Sequence, residues 1–349
     1  MTVISYTGNR THPSARLRVR QYAPFLRRYG ITLRDCSVPW DTTMPKQKWR
    51  RAAWALGTVA WRSAQIPASY TGAITLIQRQ TLPGYYHLHR LMKGPCVLDV
   101  DDAIWLNRGG ERVAGLARSC DAIICGNRYL MSYFEQWNRR VRLLPTPVDT
   151  ELLKPGPVPL EERSQVIGWT GTSENYQFLY QIEKALARVL REHPQARLLT
   201  VSDKPPAFTE LPPSQVEFVP WSVQAEADAL QRMAVGVMPL DNTPWSEGKC
   251  SFKMLCYMAA GIPVVVSPVG MNREVLTLGN IGYGPQTENE WVEALDAILR
   301  NRWKAATLGR NARQLAVTDF SLDVLSNRFS THLYEIGATA APQSVGSRG

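Results

Sequence analysis

Residues 247–276 read EGKCSFKMLCYMAAGIPVVVSPVGMNREVL, and three elements follow from that order. Residues 250–260 have helical spacing, with Phe252, Leu255, Cys256 and Ala259 available to pack inward. Gly261 ends that helix, because glycine accepts the left-handed conformation that closes a helical turn. The β-branched run at 262–267 suits a buried strand. It opens into Ser267, Pro268, Val269 and Gly270, and a helix starting near Asn272 offers N–H groups and a positive dipole end to a diphosphate. The plainer alternative is a helix, strand and turn that only build a sheet.

The alternation continues outward. Strands are expected at 165–169, 196–201, 216–219 and 234–239, separated by helices such as 176–193 and 225–233. Residues 154–163, KPGPVPLEER, hold three prolines and a glycine between periodic segments, which is linker chemistry. Before them come strands at 2–6, 31–38, 73–78, 96–100, 121–125 and 141–144, with helical stretches at 14–29 and 129–138. Strands alternating with helices predict an α/β chain of two doubly wound parallel sheets, one over 1–155 and one over 156–320. A last helix is expected at 321–336. The tail GATAAPQSVGSRG at 337–349 is too small and polar to pack and is expected to be disordered.

A chain of 349 residues exceeds the size at which a single core stops growing, about 250 residues, and so accommodates both domains. No apolar run reaches the length of roughly 18 residues needed to span a membrane, and MTVISYTGNR lacks the pattern of a secretory signal. A cytoplasmic location is expected. The six cysteines form no CxxC pair and no His/Cys cluster, so neither zinc nor a disulfide framework is indicated. Charge is uneven: 23 Lys+Arg face 10 Asp+Glu over 1–155, against 17 and 20 over the remainder. The basic half points to an anionic partner: nucleic acid, a membrane surface or an acidic acceptor. An unevenly solvated surface is the simpler account.

The helix, the Gly261-Ile262-Pro263-Val264-Val265 strand and the Gly270-Met271-Asn272-Arg273-Glu274 turn, in that order, resemble glycosyltransferase family 4 and its relatives. GWTGTSENYQFL at 168–179, FVPW at 218–221 and VMPLDN at 237–242 agree with that family's donor domain. SARLRVRQYAPFLRRYGI at 14–31, NRYLMSYFEQW at 127–137 and LLPTPVDTELLKP at 143–155 agree with its first domain. The resemblance implies the GT-B architecture: two Rossmann-like domains facing a cleft, donor held by the second and acceptor by the first. It also implies a nucleotide-diphosphate sugar as donor, retention of anomeric configuration, a glycan or lipid-linked acceptor, and no obligatory metal or cofactor.

Two departures stand out. The family commonly carries two glutamates with seven residues between them, the second holding the donor ribose. Cys256 occupies that second position here and Gly248 the first, with Glu247 beside it. Where many relatives have a histidine near the transferred sugar, LDVDDAIW at 98–105 has Asp101, followed by Asp102.

The expected donor contacts are Gly171, Thr172, Ser173, Trp221, Glu247, Lys249, Ser267, Val269 and Gly270. Lys253 is expected to neutralise the leaving diphosphate, and Glu274 to hold the donor sugar or ribose. Lys249 and Lys253 are four apart and so share a helix side; they could equally be solvated. Asp101 is the expected catalytic carboxylate, and Arg16 and Asp102 lie on the acceptor side. Because neighbours on a strand point oppositely, only one aspartate is expected to face the site; the other could cap the next helix. Residues 46–63, KQKWRRAAWALGTVAWRS, place Trp54 and Trp61 on one helix face among bases, as in a helix lying on anionic lipid. A helix packed on the sheet with a basic outer face is the competing account.

Three rival functions fit parts of the sequence. The altered glutamate pair suits a non-catalytic nucleotide-sugar-binding protein, and the fold alone also suits a nucleotide-sugar epimerase. The basic half suits nucleic-acid binding, but no recognition module accompanies it, so no nucleic-acid partner is expected.

Overall fold

The computed structural model describes residues 1–10, 12–40, 45, 47–79 and 88–340. The chain divides into two compact units, Met1–Thr146 together with Leu322–Gly349, and Pro147–Ser321. The first contains a parallel sheet of β1 (Thr2–Asn9), β2 (Thr32–Val38), β3 (Ile74–Gln78), β4 (Cys96–Val100), β5 (Ala122–Cys125) and β6 (Val141–Leu143). The order is β2-β1-β3-β4-β5-β6. The second contains β7 (Val166–Thr170), β8 (Arg197–Ser202), β9 (Val216–Pro220), β10 (Val235–Met238), β11 (Val264–Val266) and β12 (Gly282–Tyr283), in the order β12-β11-β10-β7-β8-β9. Every strand of β3, β4, β5 and β7 is wholly buried, so these read as unbroken apolar runs rather than alternating ones.

The two units part after Thr146, ahead of the proline-rich stretch. Val148 N–H donates to Phe320 O at 2.9 Å, and Arg313 donates to Thr150 O and Leu153 O at 2.9 and 3.1 Å. These bonds tie residues 147–155 to the second unit, although the linker chemistry lies at 154–163.

The closing helix returns to the first unit. Leu322, Leu325, Phe329, Leu333 and Ile336 recur at helical spacing and join the core that holds Val3, Leu76 and Ile124. The Phe329 ring meets Tyr22 edge-on at 4.9 Å. This helix runs Leu322–Ala340, so residues 337–340 belong to it rather than to a tail; 341–349 lie outside the described residues. Two other expected helices are interrupted. The 14–29 stretch becomes Pro13–Arg18, Ala23–Leu26 and short 3-10 turns around Pro24, and 176–193 divides at Ile182 into Tyr176–Gln181 and Glu183–Glu192.

All six cysteines are buried free thiols. Among the described residues no helix is long and apolar enough to cross a membrane.

Candidate functional site

In the second unit the site begins with two glycines, one that admits a tyrosine and one that admits a lysine. A Cβ at Gly236 would meet the Tyr257 ring, so only glycine lets that ring lie on β10. Tyr257 Oη donates to Val237 O at 3.2 Å and accepts from Thr170 N–H at 3.1 Å, which pins the helix Phe252–Ala259 across β10 and β7. Lys253, four residues earlier, occupies the same helix face and reaches past the end of β7. Its Nζ lies 5.2 Å from the Trp169 ring centroid, and its chain fills the space a Cβ on Gly171 would take. Residues 82 positions apart thereby meet at the carboxyl end of a central strand, where ligands of such sheets bind.

Lys253 forms no ion pair among the described residues. Burial, reinforced by the charge of Lys249, lowers its pKa to about 7. An anion delivered here would restore the full ammonium charge. The Lys249 ammonium sits 5.4 Å from the Phe178 ring and 5.5 Å from Trp245. It precedes the helix, which begins at Phe252 rather than 250, so the two lysines do not share a helix face as expected.

The start of this helix adds donors. Its first bond is from Leu255 N–H to Ser251 O at 3.1 Å, leaving the N–H groups of Phe252, Lys253 and Met254 ahead of it. Ser251 takes a left-handed conformation (φ +50°), is 2% exposed, and its Oγ has no hydrogen-bond partner. A strained, orphaned hydroxyl at a helix start is a feature that sites tolerate and cores do not. Sequence reasoning missed Ser251; a serine directly before a helix was the available signal.

The turn after β11 packs onto Glu247. Gly270 (φ +52°) has no room for a Cβ because the Glu247 carbonyl abuts it, and Arg273 donates to Glu247 Oε1 at 3.1 Å. Glu274 lies in the first turn of Met271–Thr277, where a carboxylate suits the helix dipole. Ser267 Oγ accepts from Leu240 N–H at 2.9 Å and Val269 N–H donates to Ser267 O at 2.8 Å, so both close the turn itself. The Ser173 N–H and Oγ donate to Asp203 at 2.6 and 2.9 Å. Those bonds hold the Asp203 carboxyl below the usual carboxylate range, and they place a negative charge at the helix start that 171–173 was expected to offer to phosphate. Thr172 accepts from Asn175 Nδ2 at 2.8 Å. Trp221 is 42% exposed, and its indole N–H donates to Glu226, which also accepts from Thr170 Oγ1 at 2.6 Å. An indole fixed at its edge leaves a face for stacking.

In the first unit, Asp101 and Asp102 follow β4 rather than lying on it, so strand alternation does not separate them. Arg79, directly after β3, donates from Nε to Asp101 at 2.5 Å and from Nη2 to Asp102. Burial pushes the Asp101 carboxyl up, but the charge and hydrogen bonds of Arg79 outweigh it and hold the group below its ordinary value. Arg79 has a positive φ of 61°, uncommon outside glycine. Beneath this cluster Arg18 and Asp99, both buried, form a bidentate pair at 2.5 and 3.2 Å. Arg16 is half-buried on Pro13–Arg18. Arg79 was not read from the sequence; its signal is the pairing of Gln78 with Asp99, which sets the next residues of β3 and β4 side by side.

Residues 164–301 match the family described as glycosyl transferases group 1. The second unit is thus a glycosyl transferases group 1 domain, and the chain is a glycosyltransferase by class. No curated protein sequence matches the chain. Among solved structures it resembles sucrose-phosphate synthase from Thermosynechococcus elongatus, at TM-score 0.72 and 16% identity over 97% of this chain and 100% of that one. Anabaena HepE in complex with UDP and glucose gives 0.72 and 14%, over 96% and 100%. The Escherichia coli structure described as trehalose-6-phosphate bound with UDP-2-fluoro glucose gives 0.68 and 11%, over 97% and 99%. At such identities the likeness is one of fold, and the fold is GT-B.

Proposed function

We propose that this chain transfers a sugar from a nucleotide-diphosphate sugar, bound by the second unit, to a glycan or lipid-linked acceptor, with retention and in the manner of glycosyltransferase family 4. The observation that carries the reading is Lys253: a cation lodged against Gly171 that forms no ion pair among the described residues, beside the first N–H groups of a helix. A departing nucleoside diphosphate supplies the missing charge. Stabilising that developing charge is the largest single contribution such a site makes to rate.

The other roles follow from placement. Ser251 Oγ and the first-turn N–H groups donate to phosphate oxygens, Trp221 stacks on the nucleobase, and Glu274 receives sugar or ribose hydroxyls. Gly270 and Arg273 hold the Glu247 end of the site in place. Asp101, kept ionised by Arg79, orients a hydroxyl rather than shuttling a proton. UDP-bound structures of the same fold, HepE among them, make UDP-glucose the first donor to try. The basic first unit suits an acceptor presented at an anionic surface, and a peripheral position on a membrane fits that reading.

Calorimetric titration with UDP and UDP-glucose tests the donor site. Lys253→Ala is expected to lose about 1.5–3 kcal/mol of binding, the size of a charge-assisted contact, with folding intact. Unchanged affinity in that variant refutes the assignment.

A further inference from the structure

The helix Lys48–Gln65 carries apolar residues on both sides. Its inner side is anchored: Thr58 and Arg62 are buried, Arg62 donates to Thr7 O and Cys36 O, and Trp61 Nε1 donates to Ser37 O at 3.2 Å. Trp61 also meets Trp40 edge-on at 5.7 Å. Of the pair expected to lie on lipid, Trp54 is half-buried, and Trp61, though 41% exposed, is tied to β2 through Ser37. Lys46, part of the same expectation, lies outside the described residues.

A second stripe faces outward. Trp49, Ala53, Leu56 and Ala60 follow one another at intervals of four, three and four, which aligns them along one helix line, and all four are exposed. Trp49 and Leu56 each keep 72% of their surface in water. Exposed large apolar side chains in a row mark an interaction surface. Its occupant is indicated by charge. Lys48, Arg50 and Arg51 crowd the first turn, no acidic residue offsets them there, and Gln47 provides no side-chain cap. Cations at a helix N-terminus oppose its dipole, a cost that an external anion removes. The surrounding sequence is equally one-sided: residues 42–98 contain eight Lys or Arg and no Asp or Glu. The first unit as a whole has 22 bases against 8 acids over 1–146 and 2 against 2 over 322–349, a balance of +14, whereas the second is −4.

We infer that the outer stripe of Lys48–Gln65 inserts into an anionic lipid surface, with Trp49 and Leu56 entering the acyl boundary and Lys48, Arg50 and Arg51 meeting lipid phosphates. The inference rests on the glycosyltransferase reading only for what the surface presents, an acceptor. Each basic residue close to such a membrane adds roughly fivefold to partitioning, and the buried apolar area adds a part that salt does not screen.

The test is co-sedimentation of the full chain with vesicles of phosphatidylcholine alone or with phosphatidylglycerol, at low and high salt. The wild type binds the anionic vesicles and is partly released by salt. Arg50→Glu/Arg51→Glu lowers binding by about tenfold or more at low salt. Trp49→Ser/Leu56→Ser lowers it by roughly tenfold at both salt concentrations and leaves UDP affinity unchanged. Binding that ignores lipid charge, or persists in the Trp49/Leu56 variant, overturns the inference. So does a dimer in solution that the same variant dissolves, since a second copy then covers the stripe. Docking without UDP affinity, in contrast, leaves the inference standing and removes the donor reading.

Discussion

Arg79 in the first unit lies between Asp101 and Asp102, whereas Lys253 in the second faces another lysine, a tryptophan ring and a glycine. The two cations sit at equivalent places, just past the carboxyl ends of parallel strands, and their electrostatics are opposite. In the first cluster one guanidinium holds two carboxylates, and its charge and hydrogen bonds keep the Asp101 carboxyl below its ordinary value. The second keeps a charge that burial disfavours, so its pKa falls to about 7. On the proposed reading the paired cluster orients a sugar hydroxyl, while Lys253, which has no ion pair among the described residues and only the more distant charge of Glu226 to favour it, receives an anion. The contrast supports the proposed division of acceptor and donor work between the two units.

The largest effect expected from breaking this contrast comes at Gly171. A side chain there meets Lys253 Cε, so Gly171→Ala displaces the ammonium and weakens UDP binding by roughly 10- to 100-fold, as the loss of a charge-assisted contact does. Because both changes remove the same interaction, the Gly171→Ala/Lys253→Ala double variant loses little beyond either single one. Full additivity in calorimetry separates the two residues and breaks the account of their packing.

A smaller effect is expected in the first unit. Asp101→Asn keeps the shape and removes the charge that Arg79 holds, so turnover falls by about tenfold while UDP affinity is unchanged, the pattern of a contact formed with the reacting group. A variant with full turnover sharpens the comparison by moving the acceptor role to Asp102.

The strands were legible almost throughout, because buried parallel strands read as apolar runs and 96–100 coincides with β4. β12 was not, since Gly282–Tyr283 is too short to carry a period. Helix interruptions at Pro24 and Ile182 needed the packed structure. The site was legible in outline: Lys253, Gly171, Gly270 and Glu247 were read from motif and resemblance. What brings them together was hidden, because it depends on Gly236 admitting Tyr257 and on the Gly270 turn touching the Glu247 carbonyl. Arg79 and Ser251 escaped for the same reason. Each matters through a neighbour more than twenty residues away or through a backbone conformation that composition does not report. The Ser173 amide, read as a phosphate donor, is taken by Asp203 across the β7–β8 pair, a partner that only strand order reveals.

The central claim is that Lys253 meets the diphosphate, and proton uptake on binding tests it most directly. With a pKa of about 7 the free amine is largely neutral at pH 8, and a bound diphosphate raises the pKa, so binding draws a proton from solvent. Titrating UDP at pH 8 in buffers of different ionisation enthalpy is expected to show close to one proton taken up by the wild type and none by Lys253→Met. The wild-type affinity correspondingly weakens as pH rises through about 7, by up to tenfold per unit. Equal proton uptake in the two proteins, or a wild-type affinity flat across that range, contradicts the account.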